Sequence, residues 1–284
     1  MLEQDSLVGW VEEAGSDSEE FRQAVHTILE AIASHPLLKR NMIMKGGMLL
    51  AIQYQSPRYT KDIDFSTSET LQTIKATDIR QALNESLSDA TLKLDYDLDC
   101  RVQSYKIRPN PAASFPSIQM KVGYAYKGSP KHRRLLANGS PTIVSIDYSL
   151  NELTPNIEEL SISHDGKVYV YSLVDVIAEK YRSLLQQVIR NRNRRQDVFD
   201  IYMLLQKYKH LMDEEVKARI LSSLLTKSKS RNINPLVDSL DNADIRQRAK
   251  RDYKTLENEV VEALPDFDKS YEAIRKFYNA LPWG

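Results

Sequence analysis

Apolar positions recur along this chain with two periods, and the change from one to the other divides it. "SDSEEFRQAVHTILEAIASHP", residues 16–36, places apolar side chains every three or four positions and predicts a helix. Ser16 or Ser18 is placed to cap it, acidic residues fill its first turn, and Pro36 ends it. The residues before it, 1–15, are acidic and weakly amphipathic. "NMIMKGG" reads as a short apolar strand, Asn41 to Lys45, stopped by Gly46-Gly47. "MLLAIQYQ" has helical character up to Ser56-Pro57, and "TKDIDFS" reads as a second strand. A polar helix is expected within Thr77–Ser88. Alternating runs at Thr91–Leu98, Arg101–Ile107 and Ser117–Tyr126 predict three strands. A loop with Pro130 and Gly139 leads to another strand in "PTIVSIDYSL", and "LSISHDGKVYVYSL" predicts a hairpin turning at Asp165-Gly166. Beyond Tyr171 the pattern is helical almost throughout, apart from a polar linker, "TKSKSRNINP", around 226–235. The expected fold is therefore α+β. A mixed β-sheet domain with flanking helices spans residues 1–170, and an all-helical domain spans 171–284.

Composition narrows the picture. The chain has 284 residues, 42% of them hydrophobic, enough for a sizeable core in one large or two ordinary domains. Charged residues make up 27% and the formal net charge is zero, with neither half strongly basic. Nucleic acid, if bound, requires a local patch rather than a whole-domain field. A single cysteine excludes an intrachain disulfide, and the five histidines follow no metal-ligand spacing. The first twenty residues carry acidic groups and no basic one, the opposite of a secretory or mitochondrial presequence. No apolar run approaches the roughly 18–20 residues that cross a bilayer. The expected setting is cytoplasmic, with no membrane partner.

The chemistry concentrates in "MIMKGGMLLAIQYQSPRYTKDIDF". Asp62 and Asp64 are two residues apart on a predicted strand, so both carboxylates share one face while Ile63 and Phe65 turn to a core. Two neighbouring carboxylates repel unless positive charge lies between them, and a hard divalent cation such as Mg²⁺ is the usual answer. Gly46-Gly47 joins a strand to a helix, where backbone N–H groups accept an anion and a bulky side chain would block a phosphate. A Gly-Gly turn alone is most often just a turn, and D-x-D alone is common on solvated strands. In the order strand–GG–helix–strand–DxD each supports the other. Asp147, on the polar face of "IVSIDYSL" with Ser145 and Ser149, is the natural third ligand and general base.

The helical half adds candidates. In the helix Leu173–Arg190, Leu173, Ile177, Tyr181, Leu184 and Val188 form an apolar stripe, and Asp175, Glu179, Arg182 and Gln186 form the face expected in solvent. Lys180 falls on the apolar side, where it either snorkels, pairs with a carboxylate or clamps a phosphate. Asp197 fits the N-cap or first turn of the next helix. Asp200 sits among Phe199, Ile201, Met203 and Leu204 and needs a positive partner: Lys180, Arg194 or Arg195. Arg190, Arg192, Arg194 and Arg195 read equally as a solvated helix end or as contacts to nucleotide or RNA phosphates.

Together, "KGGMLLAIQY…RYTKDIDF", "IVSIDYSL", "VYSLVDVIAEKYRSLL" and "RRQDVFDIYMLL" resemble, in order and spacing, the motifs of the AbiEii/AbiGii-type nucleotidyltransferase toxins of bacterial toxin–antitoxin and phage-defence systems. These belong to the DNA polymerase β-like nucleotidyltransferase superfamily, and the likeness covers roughly residues 20–280. The resemblance implies Mg²⁺ or Mn²⁺ held by Asp62, Asp64 and Asp147, with a triphosphate cradled by Gly46, Gly47 and the adjacent Lys45. It implies that Lys180 contacts nucleotide phosphates and that Asp200 completes the site. It further implies transfer from an NTP to an acceptor, with a tRNA 3′ end as the acceptor of some members, blocked translation and a cognate antitoxin. Two positions depart from the family pattern. Met48 stands where Ser or Thr often follows the glycines, and Gln196 where a basic residue often precedes the aspartate. Met48 favours a rival reading, a non-catalytic nucleotide- or RNA-binding module; a third is an enzyme that modifies a small-molecule or protein hydroxyl.

Overall fold

The computed structural model describes residues 7–284. The acidic start of the chain before Leu7 lies outside the described residues. Two compact units emerge: the chain up to Gln53 with Lys61–Val170, and Tyr54–Thr60 with Tyr171–Gly284.

The first unit is built on a mixed seven-stranded sheet with flanking helices, an α+β arrangement. In chain order its elements are α1 (Leu7–Glu12), α2 (Ser16–Ser34), α3 (Pro36–Asn41), β1 (Ile43–Lys45), α4 (Gly46–Gln53), β2 (Asp62–Ser66), α5 (Ala76–Lys93), β3 (Leu98–Arg108), β4 (Ser117–Tyr126), α6 (Pro130–Leu136), β5 (Ile143–Ser149), β6 (Ile157–Ser161) and β7 (Lys167–Tyr171). The strand order is β3-β4-β5-β2-β1-β7-β6. β2 runs parallel to β5 and β1 parallel to β7; β1–β2, β3–β4 and β4–β5 are antiparallel. One face is apolar: Ile63, Phe65, Ile118, Met120, Val122, Val144, Ile146 and Tyr148 are all buried. α2 and α5 cover this face, with Val25, Ile28 and Ile32 from α2 and Ile79, Leu83 and Leu87 from α5 in the core. Each such side chain contributes about 1.5–3 kcal/mol by leaving water. The alternation of polar and apolar residues on β5, half-buried then buried, fixes which side its polar residues take.

Several elements depart from the sequence reading. Thr91–Leu98 is not a strand. α5 runs on to Lys93, because Ala90 and Thr91 continue the buried stripe of Leu83 and Leu87 at helical spacing. The first strand is shorter than expected, since Asn41 ends α3. Neither Ser16 nor Ser18 caps α2; Gly15 occupies that position and Ser18 Oγ donates to its carbonyl. The stretch from Pro130 forms a helix, α6, with Pro130 in its first turn and Ser129 accepting from the His132 N–H.

The second unit is helical: α7 (Leu173–Gln186), α8 (Arg195–Lys207), α9 (Glu214–Lys229), α10 (Ala243–Lys250) and α11 (Phe267–Asn279), with short 3-10 turns in each connection after α8. α7 stops four residues before the expected end at Arg190, and α9 takes in the first part of the expected linker. The expected solvent face of α7 is also corrected: Asp175 and Arg182 are buried, because α9 packs along α7. Asp175 accepts from Ser223 Oγ at 2.6 Å and pairs with Lys227 at 3.3 Å. The Lys227 ammonium also lies 4.1 Å from the centre of the Tyr171 ring, so the buried cation has both a counter-ion and a π face. A periodicity plot sees one helix and cannot see the second that covers it.

Candidate functional site

The polar face of the sheet carries the candidate centre. Strand pairing sets Asp64 directly opposite Asp147 across the parallel β2–β5 pair, with Asp62 opposite Ser145. Directly paired residues share a face, so all three carboxylates project from the same side, opposite the buried core. At sheet spacing, Asp64 and Asp147 are about 5 Å apart at the backbone, and Asp62 lies about 7 Å along the strand. Asp62 is exposed; Asp64 and Asp147 are half-buried. Gln119, paired with Asp147 from β4, donates its Nε2 to Asp147 Oδ2 at 3.4 Å.

Lys45 faces the same centre. It is paired with Asp64 across β1–β2, and its ammonium forms an ion pair with the buried Glu152 and donates to Ser149 Oγ at 3.5 Å. Glu152 holds this cation against the acidic face, and sequence reasoning missed it. The only signal was a lone glutamate just past a strand end.

Gly46 meets the centre from the other side. Its φ is +74°, a left-handed conformation that costs a residue with a Cβ about 1–2 kcal/mol. A Cβ there would fall 2.0 Å from Asp64 Oδ2 and 2.9 Å from Asp64 Cβ, so the whole aspartate side chain occupies the space. Gly46 also begins α4, which places Gly47 and the first unpaired N–H groups of that helix beside Asp64. Met48 is fully buried, so the residue in the position of the family's Ser or Thr is spent on the core.

These residues fit a hard divalent cation. The turn brings a glycine backbone into contact with a carboxylate that has a second carboxylate as its direct cross-strand neighbour. Among the described residues no three His, Cys, Asp or Glu side chains close into a metal cage. An open set of carboxylates suits Mg²⁺, which takes one or two of them and completes its shell with water and substrate phosphates.

In the helical unit the structure gathers Lys180, Asp197 and Asp200, and adds Arg58. Lys180 Nζ lies 2.6 Å from Asp200 Oδ2 and 3.1 Å from Asp197 Oδ1. Arg58 donates through Nε and Nη2 to the two oxygens of Asp200 at 3.0 and 3.1 Å, a bidentate pair. Arg58 Nη1 is 4.0 Å from Glu259, which also receives Arg195 at 2.6 Å. Three cations thus meet three carboxylates. Burial alone would raise the Asp200 carboxyl, but the charges of Lys180 and then Arg58 hold it below its usual value. Burial likewise opposes the charge on Lys180 and on Arg58, yet Asp200 foremost raises both. Of the partners proposed for Asp200, Lys180 is found; Arg195 turns to Glu259 and Thr255 instead. Arg194 precedes α8, and Arg190 and Arg192 are exposed in the turn after α7. Arg58 was invisible as a partner, since the pair joins positions 142 residues apart and no periodic pattern marks it.

Comparison with known proteins bears on the family and the fold. The profile of the family described as "Nucleotidyl transferase AbiEii toxin, Type IV TA system" matches residues 27–278. No curated protein sequence matches the chain. Among solved structures, a candidate nucleotidyltransferase from H. pylori superposes with a TM-score of 0.51 at 13% identity, over 94% of this chain and 96% of that one. JHP933 from Helicobacter pylori gives a TM-score of 0.52 at 13% identity, over 95% and 93%. At that identity the likeness speaks for the fold alone.

Proposed function

Because the chain belongs to the AbiEii nucleotidyltransferase toxin family of type IV toxin–antitoxin systems, we propose that its strand carboxylates transfer a nucleotide from an NTP to an RNA 3′ hydroxyl, with tRNA the leading acceptor, in the cytoplasm. The observation that carries the reading is the register that sets Asp64 against Asp147, with Asp62 on the same face and Gly46 packed on Asp64. The Gly46-Gly47 turn and the start of α4 offer backbone N–H groups to the triphosphate. Lys45, held by Glu152, adds a positive charge beside them. Asp62, Asp64 and Asp147 would hold Mg²⁺ or Mn²⁺. Such an ion, when bound, neutralises the phosphates and lowers the pKa of the attacking hydroxyl. Gln119 engages Asp147 Oδ2, which leaves Oδ1 to take the hydroxyl proton. The acceptor oxygen bonds to the α-phosphorus, the α–β bridging bond breaks, and pyrophosphate leaves. Asp200 acts by holding Lys180 and Arg58 in the helical unit, as a positioning residue. The family also implies a cognate antitoxin.

The test is incubation of the purified protein with α-labelled NTPs, Mg²⁺ and total tRNA. Label should enter RNA with wild type, vanish on chelation, and fall by roughly 10²-fold or more in Asp62→Ala and Asp64→Ala, which keep the fold. A wild-type signal no greater than that of Asp64→Ala sinks the proposal. NTP binding that needs no metal and releases no pyrophosphate would favour a binding module instead. Label on a small molecule or on protein would redirect the acceptor.

A further inference from the structure

The acidic centre has a cationic flank on the same sheet face. Register carries the row of Asp64 and Asp147 outward through Gln119 on β4 to Lys106 on β3. The neighbouring rows run from Asp62 through Ser145 and Lys121 to Ser104, and from Ser66 through Ser149 and Ser117 to Arg108. Lys106, Arg108 and Lys121 are all exposed, and none forms a salt bridge or side-chain hydrogen bond among the described residues. Two strand spacings put Lys106 about 10 Å from Asp147, and Lys121 is closer still. Apart from the acidic residues, the other residues of these three rows are uncharged and polar: Ser104, Gln119, Ser117, Ser145, Ser149 and Ser66.

Edge lysines often serve only to block strand-to-strand aggregation, and β3 is an edge strand. That explanation does not reach Lys121, which lies on the interior strand β4. Nor does it explain why three cations without counter-ions stand on one face beside three carboxylates, in a chain with no net charge to attract a polyanion. Resting on the nucleotidyl-transfer reading above, we propose that Lys106, Arg108 and Lys121 form the track for the phosphodiester backbone of the RNA acceptor. The track holds the strand on the β3–β4 wing and delivers its 3′ end toward Asp147. Its serines and Gln119 supply hydrogen bonds without base selectivity, and its cations supply the salt-dependent part of affinity.

The test is fluorescence anisotropy of a labelled single-stranded RNA across a salt series. The variants are K106Q/R108Q/K121Q and a charge-matched control, K209Q/K254Q/K269Q, drawn from exposed lysines of the helical unit. The track variant should bind more weakly, and the slope of log K against log salt should shrink by about 2, at roughly 0.7 per lost single-strand contact. The control should match wild type, and NTP affinity by calorimetry should not change in the track variant. Equal RNA affinity and slope for wild type and track variant overturn the proposal, as does an equal loss in the control. An acidic protein partner that needs these three residues, with RNA binding unaffected, overturns it as well. Wild type that labels no acceptor from any NTP marks failure of the nucleotidyl-transfer reading; labelling that persists with an unchanged slope marks failure of the track alone.

Discussion

Asp64 and Asp147 are direct cross-strand neighbours, and like charges so placed are destabilising. Asp147→Asn should therefore abolish transfer while leaving the metal-free melting temperature equal to or above wild type; a clear fall would mean that the carboxylate serves the fold. Gly46→Ala should lower both. Its positive φ and the 2.0 Å approach to Asp64 Oδ2 force both the turn and the aspartate to shift, so stability should drop by about 1–2 kcal/mol and transfer should fall with it. Thermal denaturation and label incorporation on one preparation read both effects. The carboxylates and the glycines were open to sequence reading because D-x-D on a strand and G-G at a strand–helix junction have local meaning. Glu152 and Gln119 were not, since their part in the centre arises only when β5 and its following loop come to lie beside β1 and β4.

On the scale of elements, α7 and α8 are joined by charge as well as by apolar packing. Asp200 is 1% exposed and is the shared partner of buried Lys180 and half-buried Arg58, so Asp200→Ala leaves them only Asp197 and Glu259 and should lower stability in urea unfolding followed by helical ellipticity, by less than the about 3–5 kcal/mol of a wholly unpaired buried charge. Stability equal to wild type would mean that the cluster does not bind the helices together. The pH dependence follows from the two directions of shift. The Asp200 carboxyl is held below 3.8, so its contribution is complete above that value and is lost as pH falls through the lower, folded one. Lys180 is held above 10.5, so its contribution is complete below that value and is lost as pH rises beyond it. The cluster should be insensitive to pH between these limits, and Asp200→Asn should remove its share of the acid limb. Most elements were visible as periodicity. The failures have physical causes: "TLKL" alternates like a strand, yet its Thr91 completes the buried stripe of α5 while Leu92 stays exposed, and Asp175 reads as solvent-facing until α9 covers it.

For the molecule as a whole, zero net charge means that function depends on where charge is placed rather than on how much there is. The α+β organisation followed from the change of period near Tyr171; that residues 54–60 group with the helical unit did not, because membership of a compact unit is a property of contacts rather than pattern. Among the described residues no helix is long and apolar enough to cross a membrane. The proposed chemistry rests on the sheet's polar face, and pyrophosphate release reads it whichever acceptor is used. Wild type, Asp64→Asn and Asp147→Asn, each given every NTP in turn with Mg²⁺ and total RNA, should separate cleanly: pyrophosphate from wild type with at least one NTP, and background from both variants. Release from the variants at the wild-type rate would place the chemistry elsewhere than on these strands.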